Sequence, residues 1–166
     1  MALGCRRAMM ADADLLWRWA NDPLTRANSL STAPIPYAEH LQWLRRRLGS
    51  EATKIWIFSD SGTPVGQVRF DRAGDSALIS ISVASEHRGR GFGRAMLTEA
   101  VRKMRARWGP GVRPKALILD RNAASLALFR ACGFRMVGRV ERGPGRAAVV
   151  LEGTSRMGLA KTTRGL

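Results

Sequence analysis

The sequence predicts a mixed α/β fold in which a mostly antiparallel central sheet is flanked by helices on both faces. The first observation is that short apolar runs with strand-like alternation lie between segments whose apolar residues recur at helical spacing. The second is their order, which reads strand, helices, three strands, helix, strand, helix and two strands. The third is that no repeat or low-complexity segment interrupts this order. We therefore expect one domain.

The N-terminal part is predicted to supply one strand and the first helices. Residues 3–9 can form an edge strand, and residues 12–20 are typical of a helix with Asp12 as its N-cap. Pro23 is suited to the first position of a second helix. Leucines at helical spacing predict a third helix over residues 37–48.

Three strands in hairpin connection are predicted next. Residues 54–59 and 65–70 are joined by residues 60–62, whose Asp-Ser-Gly sequence is typical of a hairpin turn. A second turn over residues 71–75 leads to residues 77–83, where apolar side chains alternate with serine. The third strand therefore has one apolar face.

The C-terminal half alternates helix and strand and ends in a hairpin. A helix with one apolar face follows a glycine-rich segment. Residues 115–120 are predicted as a buried strand, and residues 122–132 as a helix that Gly133 closes. Residues 134–140 and 147–152 can pair as the last two strands.

Length and composition are those of a soluble globular protein. The chain has 166 residues, of which 45% are hydrophobic and 25% are charged. We assign residues 1–160 to the domain and residues 161–166 to a loose C-terminal tail. No apolar stretch follows Arg6 and Arg7, and no window approaches the length of a membrane span. The expected location is the cytoplasm, without a membrane partner.

Cysteine and histidine are too scarce for a disulfide framework or for metal catalysis. Cys5 and Cys132 are the two cysteines, and neither lies near a cluster of metal-ligand residues. His40 and His87 are the two histidines. We therefore expect no metal site.

The charge is unusual, with a formal net charge of +15 and a sequence pI of about 11.6. Arginine supplies 24 of the 28 basic residues. Its planar side chain suits phosphate, which favours a phosphorylated ligand, although the drift of a GC-rich genome toward arginine explains the same skew. The chain has no long basic run and no RNP-like motif, so nucleic acid is not an expected partner.

The glycine-rich segment Arg88-Gly89-Arg90-Gly91-Phe92-Gly93 carries the clearest chemical signal. Glycine lets the backbone approach a ligand closely, and free amides at a helix start bind an anion such as a pyrophosphate. Arg88, Arg90 and Arg94 add positive charge around it. The segment does not follow a first βαβ unit as a Rossmann turn does, and it lacks the Gly-Lys-Ser or Gly-Lys-Thr of a Walker loop. A tight turn without a ligand is the remaining alternative.

A second helix downstream presents Asn122, Ser125, Leu126 and Phe129 on one face. Asn122 is also a good N-cap, and Ser125 can be an inert helix residue. The combination of this face with the glycine-rich segment favours a shared ligand.

Together these two stretches resemble the GNAT superfamily of acetyl-CoA-dependent N-acyltransferases. Arg88, Gly91 and Gly93 match the family's (Gln/Arg)-x-x-Gly-x-(Gly/Ala) motif, and residues 120–134 match its second acyl-CoA motif. The order of the predicted strands fits the whole chain. The resemblance implies the GNAT fold and acetyl-CoA as co-substrate. These two motifs carry almost no information about the acceptor.

The resemblance also implies a role for each matched position. The main chain of residues 81–83 would bind the pantetheine arm, and the amides of residues 88–94 would bind the pyrophosphate. Asn122 and Ser125 would line the pantetheine arm, with Phe129 beside the thioester sulfur. The predicted cofactor-binding residues are Ile81, Ser82, Val83, Arg88, Gly89, Arg90, Gly91, Phe92, Gly93, Arg94, Asn122, Ser125 and Phe129.

The chain differs from many members of the family at a residue that transfers a proton. Many members carry a tyrosine at the position of Phe129, and phenylalanine cannot donate a proton. CoA then leaves as a thiolate, or Tyr37, the one tyrosine, protonates it. Glu86 is the predicted general base, with His87, Glu39, His40 and a base acting through water as alternatives. The amine is expected to attack the thioester directly, so Cys132 is expected to pack in the core.

The expected acceptor rests on a narrower resemblance. Residues 15–23 and 36–44, with Arg26, resemble the GNAT branch that acetylates 4-amino nucleotide sugars in nonulosonic (pseudaminic-type) acid synthesis. A UDP-linked amino sugar is a small-molecule amine whose phosphates suit the basic surface. The same segments resemble, less closely, the ribosomal-protein N-terminal acetyltransferases. Acetylation of a small amine, and a non-catalytic module that binds acyl-CoA or nucleic acid, are further alternatives, and a homodimer is left open.

Overall fold

The computed structural model describes residues 3–154, which form one seven-stranded sheet and five α-helices. The strands are β1 (Gly4–Arg7), β2 (Thr53–Asp60), β3 (Thr63–Ala73), β4 (Ser76–Val83), β5 (Arg113–Leu119), β6 (Phe134–Glu141) and β7 (Ala147–Gly153). The helices are α1 (Ala13–Ala20), α2 (Pro23–Ala27), α3 (Tyr37–Leu48), α4 (Phe92–Trp108) and α5 (Ala123–Ala131). This architecture confirms the predicted fold class. The predicted tail, residues 161–166, lies outside the described residues.

The sheet has the strand order β1-β2-β3-β4-β5-β7-β6, and every neighbouring pair is antiparallel except β4 and β5. The parallel pairing of β4 with β5 extends only from Ser76 to Leu78. Beyond Leu78, β4 continues to Val83 while it pairs with β3 alone. One edge of β4 therefore lies open in the middle of the sheet.

Two hydrophobic clusters hold helices on opposite faces of the sheet. On one face Phe70 packs with Met96 of α4, and on the other Ile57 packs with Leu16 of α1 and Leu44 of α3. Alternate residues of β2 point to the two clusters, which is why nearly all of this strand is buried. Helices therefore cover both faces of the sheet.

The hairpin turn between β2 and β3 and the end of α5 have the backbone geometry that their sequences favour. The turn between β3 and β4 has fewer residues than predicted. Ser61 and Gly62 both have positive φ angles, 49° and 86°, as a two-residue hairpin turn requires. Gly133 follows α5 with φ 88°. The turn predicted over residues 71–75 is shorter, because β3 continues to Ala73 and β4 begins at Ser76.

The predicted N-cap role of Asp12 is wrong. Its carboxylate makes no capping bond to α1, and instead accepts hydrogen bonds from the Met9 N–H at 2.8 Å and from Arg6 at 2.7 and 2.8 Å. The hydrogen bond from Arg6 outweighs burial and lowers the pKa of Asp12. Asp12 therefore ties β1 to the turn before α1.

Every helix within residues 3–154 is too short or too polar to span a membrane. The same residues contain no group of three or more His, Cys, Asp or Glu side chains that could hold a metal ion.

Candidate active site

The glycine-rich segment forms a turn between β4 and α4 and includes the first residues of α4. We call residues 88–94 the cofactor turn. Gly89 and Gly91 have φ angles of 73° and 82°, a left-handed conformation that residues with a Cβ rarely adopt. Within residues 3–154, the backbone N–H groups of residues 89–94 have no hydrogen-bond acceptor. Six free donors therefore lie at or beside the positive end of a 17-residue helix, an arrangement suited to bind phosphate.

Two further glycines allow close packing around this turn. A Cβ on Gly93 would lie 3.2 Å from Cδ2 of Leu128, so the glycine lets α4 approach α5. A Cβ on Gly66 would lie 2.4 Å from the Ser82 carbonyl oxygen and 2.7 Å from Cε of Met96. Gly66 was not among the predicted site residues, although a glycine inside a strand is a recognised signal of close backbone approach.

A cavity of about 1010 Å³ runs from this turn along the open edge of β4. It is at the upper end of the size range of small-molecule sites. Of the predicted cofactor-binding residues, those that line it are Ile81, Ser82, Val83, Arg88, Gly89, Gly91, Phe92, Gly93, Arg94, Asn122, Ser125 and Phe129. The structure thus brings both motifs to one cavity.

The side chains of Arg88 and Arg90 are not arranged as predicted. Nη2 of Arg88 lies 2.6 Å from Oδ2 of Asp22, so this guanidinium is paired with a carboxylate of the N-terminal region. Arg90 does not line the cavity; it lies over the ring of Phe92 and donates to Nδ1 of His87 at 3.1 Å. Arg94 is the third predicted cation, and its side chain has no ion pair or hydrogen bond within residues 3–154.

The α5 side of the cavity combines a helix cap with an aromatic wall. The side chain of Asn122 accepts a hydrogen bond from the Ser125 N–H at 3.2 Å, which confirms its N-cap role. Phe129 is 2% exposed and packs edge-on against Phe134, with ring centroids 4.9 Å apart. Cys132 packs against the main core, as predicted, and burial raises the pKa of its thiol.

Neither of the two predicted catalytic residues lines the cavity. The Tyr37 hydroxyl donates a hydrogen bond to Asp14, which raises the pKa of the phenol. Glu86 accepts a hydrogen bond from the Ser85 hydroxyl at 2.9 Å, and its own backbone N–H and Ser85 lower the pKa of its carboxyl. Both residues are exposed at the surface, and neither is among the residues that line the cavity.

The other candidate bases do line the cavity. Glu39 is the one carboxylate among the described lining residues, and His40 and His87 also line the cavity. Nε2 of His40 lies 3.0 Å from the carbonyl oxygen of Ala13. Because a carbonyl only accepts, Nε2 carries the proton and Nδ1 keeps a lone pair. Burial lowers the pKa of His40, although the bond to Ala13 opposes this shift.

The wall opposite the cofactor turn is a hydrogen-bonded loop between α2 and α3. Nε1 of Trp17 donates to the Ile35 carbonyl at 2.8 Å, and the Asn21 side chain bonds both the N–H and the carbonyl of Ile35. Arg26 donates to the Ala20 carbonyl at 2.5 Å and to the Ser29 hydroxyl at 3.0 Å. These contacts fix the loop against α1 and so shape the second half of the cavity.

A helix start suited to bind an anion, beside an open strand edge and a large cavity, is the arrangement expected of a site for acyl-CoA, and so of an acyltransferase. A model of the Acetyltransferase (GNAT) family matches residues 14–134, and the chain belongs to this family. It is an acetyl-CoA-dependent N-acetyltransferase, with acetyl-CoA as co-substrate. No curated protein matches the chain in sequence.

Solved structures of acetyltransferases have the same fold. A ribosomal-protein-alanine N-acetyltransferase from Brucella melitensis is 26% identical, with 90% of this chain and 98% of that chain covered and a TM-score of 0.75. A spermidine N-acetyltransferase from Vibrio cholerae, in complex with CoA and spermine, is 17% identical over 90% and 94% of the chains, with a TM-score of 0.76. An N-acetyltransferase from Staphylococcus aureus is 18% identical over 94% and 100%, with a TM-score of 0.77.

Proposed function

We propose that this enzyme transfers the acetyl group of acetyl-CoA to the primary amine of a nucleotide-linked 4-amino sugar. The observation that carries the proposal is that the lining of the cavity extends beyond the predicted cofactor-binding residues to α2, α3 and the loop between them. We call this part of the cavity, together with the face of the sheet below α3, the acceptor chamber. Its neutral polar lining comprises Thr25, Asn28, Ser29, Gln42, Gln67, Ser80 and Ser82.

This lining suits a sugar better than a polyamine. Amide and hydroxyl groups can both donate and accept, as sugar hydroxyls require, and the ring of Trp43 offers an apolar surface beside them. A polyamine needs several carboxylates, whereas Glu39 is the one carboxylate among the described residues of the lining. The net charge of +15 also slows the approach of a polycation.

In the proposed reaction the amine nitrogen forms a bond to the thioester carbon and the carbon–sulfur bond breaks. Glu39 attracts the ammonium group and accepts its first proton, so that the neutral amine attacks. The second proton leaves the nitrogen for water as the tetrahedral intermediate collapses to the amide. Backbone N–H groups at the open edge of β4, in residues 81–83, stabilise the developing oxyanion. CoA leaves as a thiolate, because Phe129 cannot donate a proton and Tyr37 lies outside the cavity.

The proposal is tested with an acceptor panel scored by CoA release. We expect turnover with a UDP-4-amino-4,6-dideoxy sugar well above the hydrolysis of acetyl-CoA alone. Mass spectrometry should find one acetyl group on the sugar amine. Turnover confined to spermidine or to peptides would contradict the proposal.

A second candidate function is acetylation of protein N-termini. The structure at 26% identity, a ribosomal-protein-alanine N-acetyltransferase, favours it. The charge of this chain disfavours it, because a basic enzyme and a basic ribosomal protein repel each other. A peptide that begins with alanine therefore belongs in the panel, and its acetylation in the absence of sugar turnover would make this the preferred function.

A further inference from the structure

We propose that Arg46 and Arg69 form a binding site for an oxyanion of the acceptor. This inference rests on the proposed function, because it concerns the acceptor chamber of the same cavity. Five arginines line the cavity, namely Arg26, Arg46, Arg69, Arg88 and Arg94. Arg94 belongs to the cofactor turn, which leaves four arginines that could bind a second anion if their guanidinium groups are free.

Two of these arginines bind other groups of the protein through two or three of their guanidinium nitrogens. Arg26 donates to the carbonyl oxygens of Ala20 and Ser31 and to the hydroxyl of Ser29. Arg88 donates to Asp22 and to the Val83 carbonyl. Their guanidinium groups hold the walls of the cavity together, and neither is suited to bind the acceptor.

Arg69 is held in place in a different way. Its Nε donates to Oδ2 of Asp71 at 2.8 Å, and its guanidinium carbon lies 5.1 Å from the ring centroid of Trp43. Asp71 is itself fixed by the Thr53 hydroxyl at 2.8 Å and by Arg47 at 3.2 Å. Nη1 and Nη2 of Arg69 have no hydrogen-bond acceptor within residues 3–154. The outer edge of this guanidinium is therefore oriented and available.

Arg46 lies on the face of α3 that lines the acceptor chamber. Residues 39, 42, 43 and 46 share this face by helical spacing, and all four line the cavity. Arg46 makes no ion pair or hydrogen bond through its side chain in the described part of the protein. Glu39 and Arg46 are separated by seven residues, a rise of roughly 10 Å along the helix.

The face of α3 thus presents a carboxylate near one end and a guanidinium near the other. A carboxylate attracts the ammonium group of an acceptor, and two arginines bind phosphate through planar, charge-assisted contacts. We infer that the acceptor carries an amine and an oxyanion in one molecule. The diphosphate of a nucleotide and the carboxylate of a small amino acid share this chemistry, and the experiment below distinguishes them.

The test measures binding by titration calorimetry to enzyme saturated with CoA, which keeps the cofactor turn occupied. The ligands are UDP, uridine and L-glutamate, and the variants are Arg46→Gln, Arg69→Lys and Arg45→Gln. Arg45 is exposed on α3 and does not line the cavity, so Arg45→Gln removes the same charge without touching the site. Thermal unfolding and CoA affinity show whether Arg69→Lys retains the fold.

We expect UDP to bind and uridine to bind at least tenfold more weakly. Arg46→Gln and Arg69→Lys should each weaken UDP binding by about tenfold, while Arg45→Gln changes it less than twofold. Binding of L-glutamate alone, with the same response to the variants, would support the oxyanion site and overturn the nucleotide-linked acceptor. Equal effects of Arg45→Gln and Arg46→Gln, or no effect of any variant, would overturn the site even if the sugar is turned over.

Discussion

Nη2 of Arg88 lies 2.6 Å from Oδ2 of Asp22, and this ion pair joins the cofactor turn to the start of α2. The same carboxylate oxygen caps α2 by accepting from the Thr25 N–H at 2.9 Å. Nε of Arg88 also donates to the Val83 carbonyl at the end of β4, at 3.2 Å. One carboxylate therefore links a wall of the acceptor chamber to the turn that we propose binds acetyl-CoA.

Asp22→Asn should raise the KM for the acceptor more than the KM for acetyl-CoA. Asparagine keeps an acceptor for the cap of α2 but loses the charge that holds Arg88. We expect the KM for the acceptor to rise by about fivefold, and the KM for acetyl-CoA to change less than twofold. Steady-state kinetics with each substrate varied in turn measures both. An equal rise in the two KM values would show that the pair positions the cofactor turn instead.

Gly91→Ala should weaken acetyl-CoA binding without a steric clash. No atom lies within 4 Å of the added Cβ, but the φ angle of 82° is strained for alanine by about 1–2 kcal/mol. We expect the KM for acetyl-CoA to rise about tenfold as the turn relaxes away from this geometry. Gly111→Ala is the matched control, because that site is equally open and has no left-handed φ. A similar KM for acetyl-CoA in both variants would show that the left-handed φ angle of Gly91 is not needed for binding.

Glu39→Gln should lower kcat by about 100-fold at saturating acceptor, since glutamine cannot take up the proton of the amine. Glu86→Gln should leave kcat within about twofold, because that residue does not line the cavity. Initial rates of CoA release compare the two variants. The opposite order of effects would restore Glu86 as the general base.

Phe129→Tyr tests whether a thiolate leaves without a proton donor. CoA has a thiol whose pKa, by analogy with cysteine, is about 8.5, so its thiolate is a tolerable leaving group. We expect kcat to stay within about threefold, because the wild-type reaction already proceeds without a proton donor at this position of the cavity lining. A tenfold increase in kcat would mean that protonation of the thiolate limits the wild-type rate.

His40 should make the stability of the protein depend on pH below neutrality. Burial lowers its pKa, so the folded state binds the proton less readily than the unfolded chain. Its contribution to stability is complete above the ordinary value of 6.5 and is lost as pH falls toward the lower folded pKa. Melting temperatures from pH 7.5 to 5 should fall less steeply in His40→Gln than in the wild type. His87→Gln, at a less buried site, is the control, and an unchanged slope in His40→Gln would contradict the prediction.

The fold was predictable because its signals are local. Alternation marks β4, the Asp-Ser-Gly turn marks the hairpin of β2 and β3, and Gly133 marks the end of α5. The backbone of the cofactor turn was predictable for the same reason, since its glycines are needed for the φ angles of the turn itself. The predicted cap at Asp12 failed because a long-range partner, Arg6, binds that carboxylate instead.

The roles of individual side chains were harder to predict because they depend on contacts distant in sequence. Arg88 pairs with Asp22, a residue 66 positions earlier, and no local pattern reports this contact. Glu86 is adjacent to the cofactor turn in sequence, yet its side chain lies outside the cavity, whereas Glu39 reaches it from α3. Likewise, the availability of Arg69 depends on how Asp71 and Trp43 hold its side chain.

The central claim is that acetyl-CoA and the amine occupy one continuous cavity and react directly. The most direct test is a two-substrate initial-rate analysis with the UDP-4-amino-4,6-dideoxy sugar and acetyl-CoA both varied. Direct transfer in a ternary complex predicts double-reciprocal lines that intersect. Parallel lines, with acetylated protein detected after incubation with acetyl-CoA alone, would contradict it.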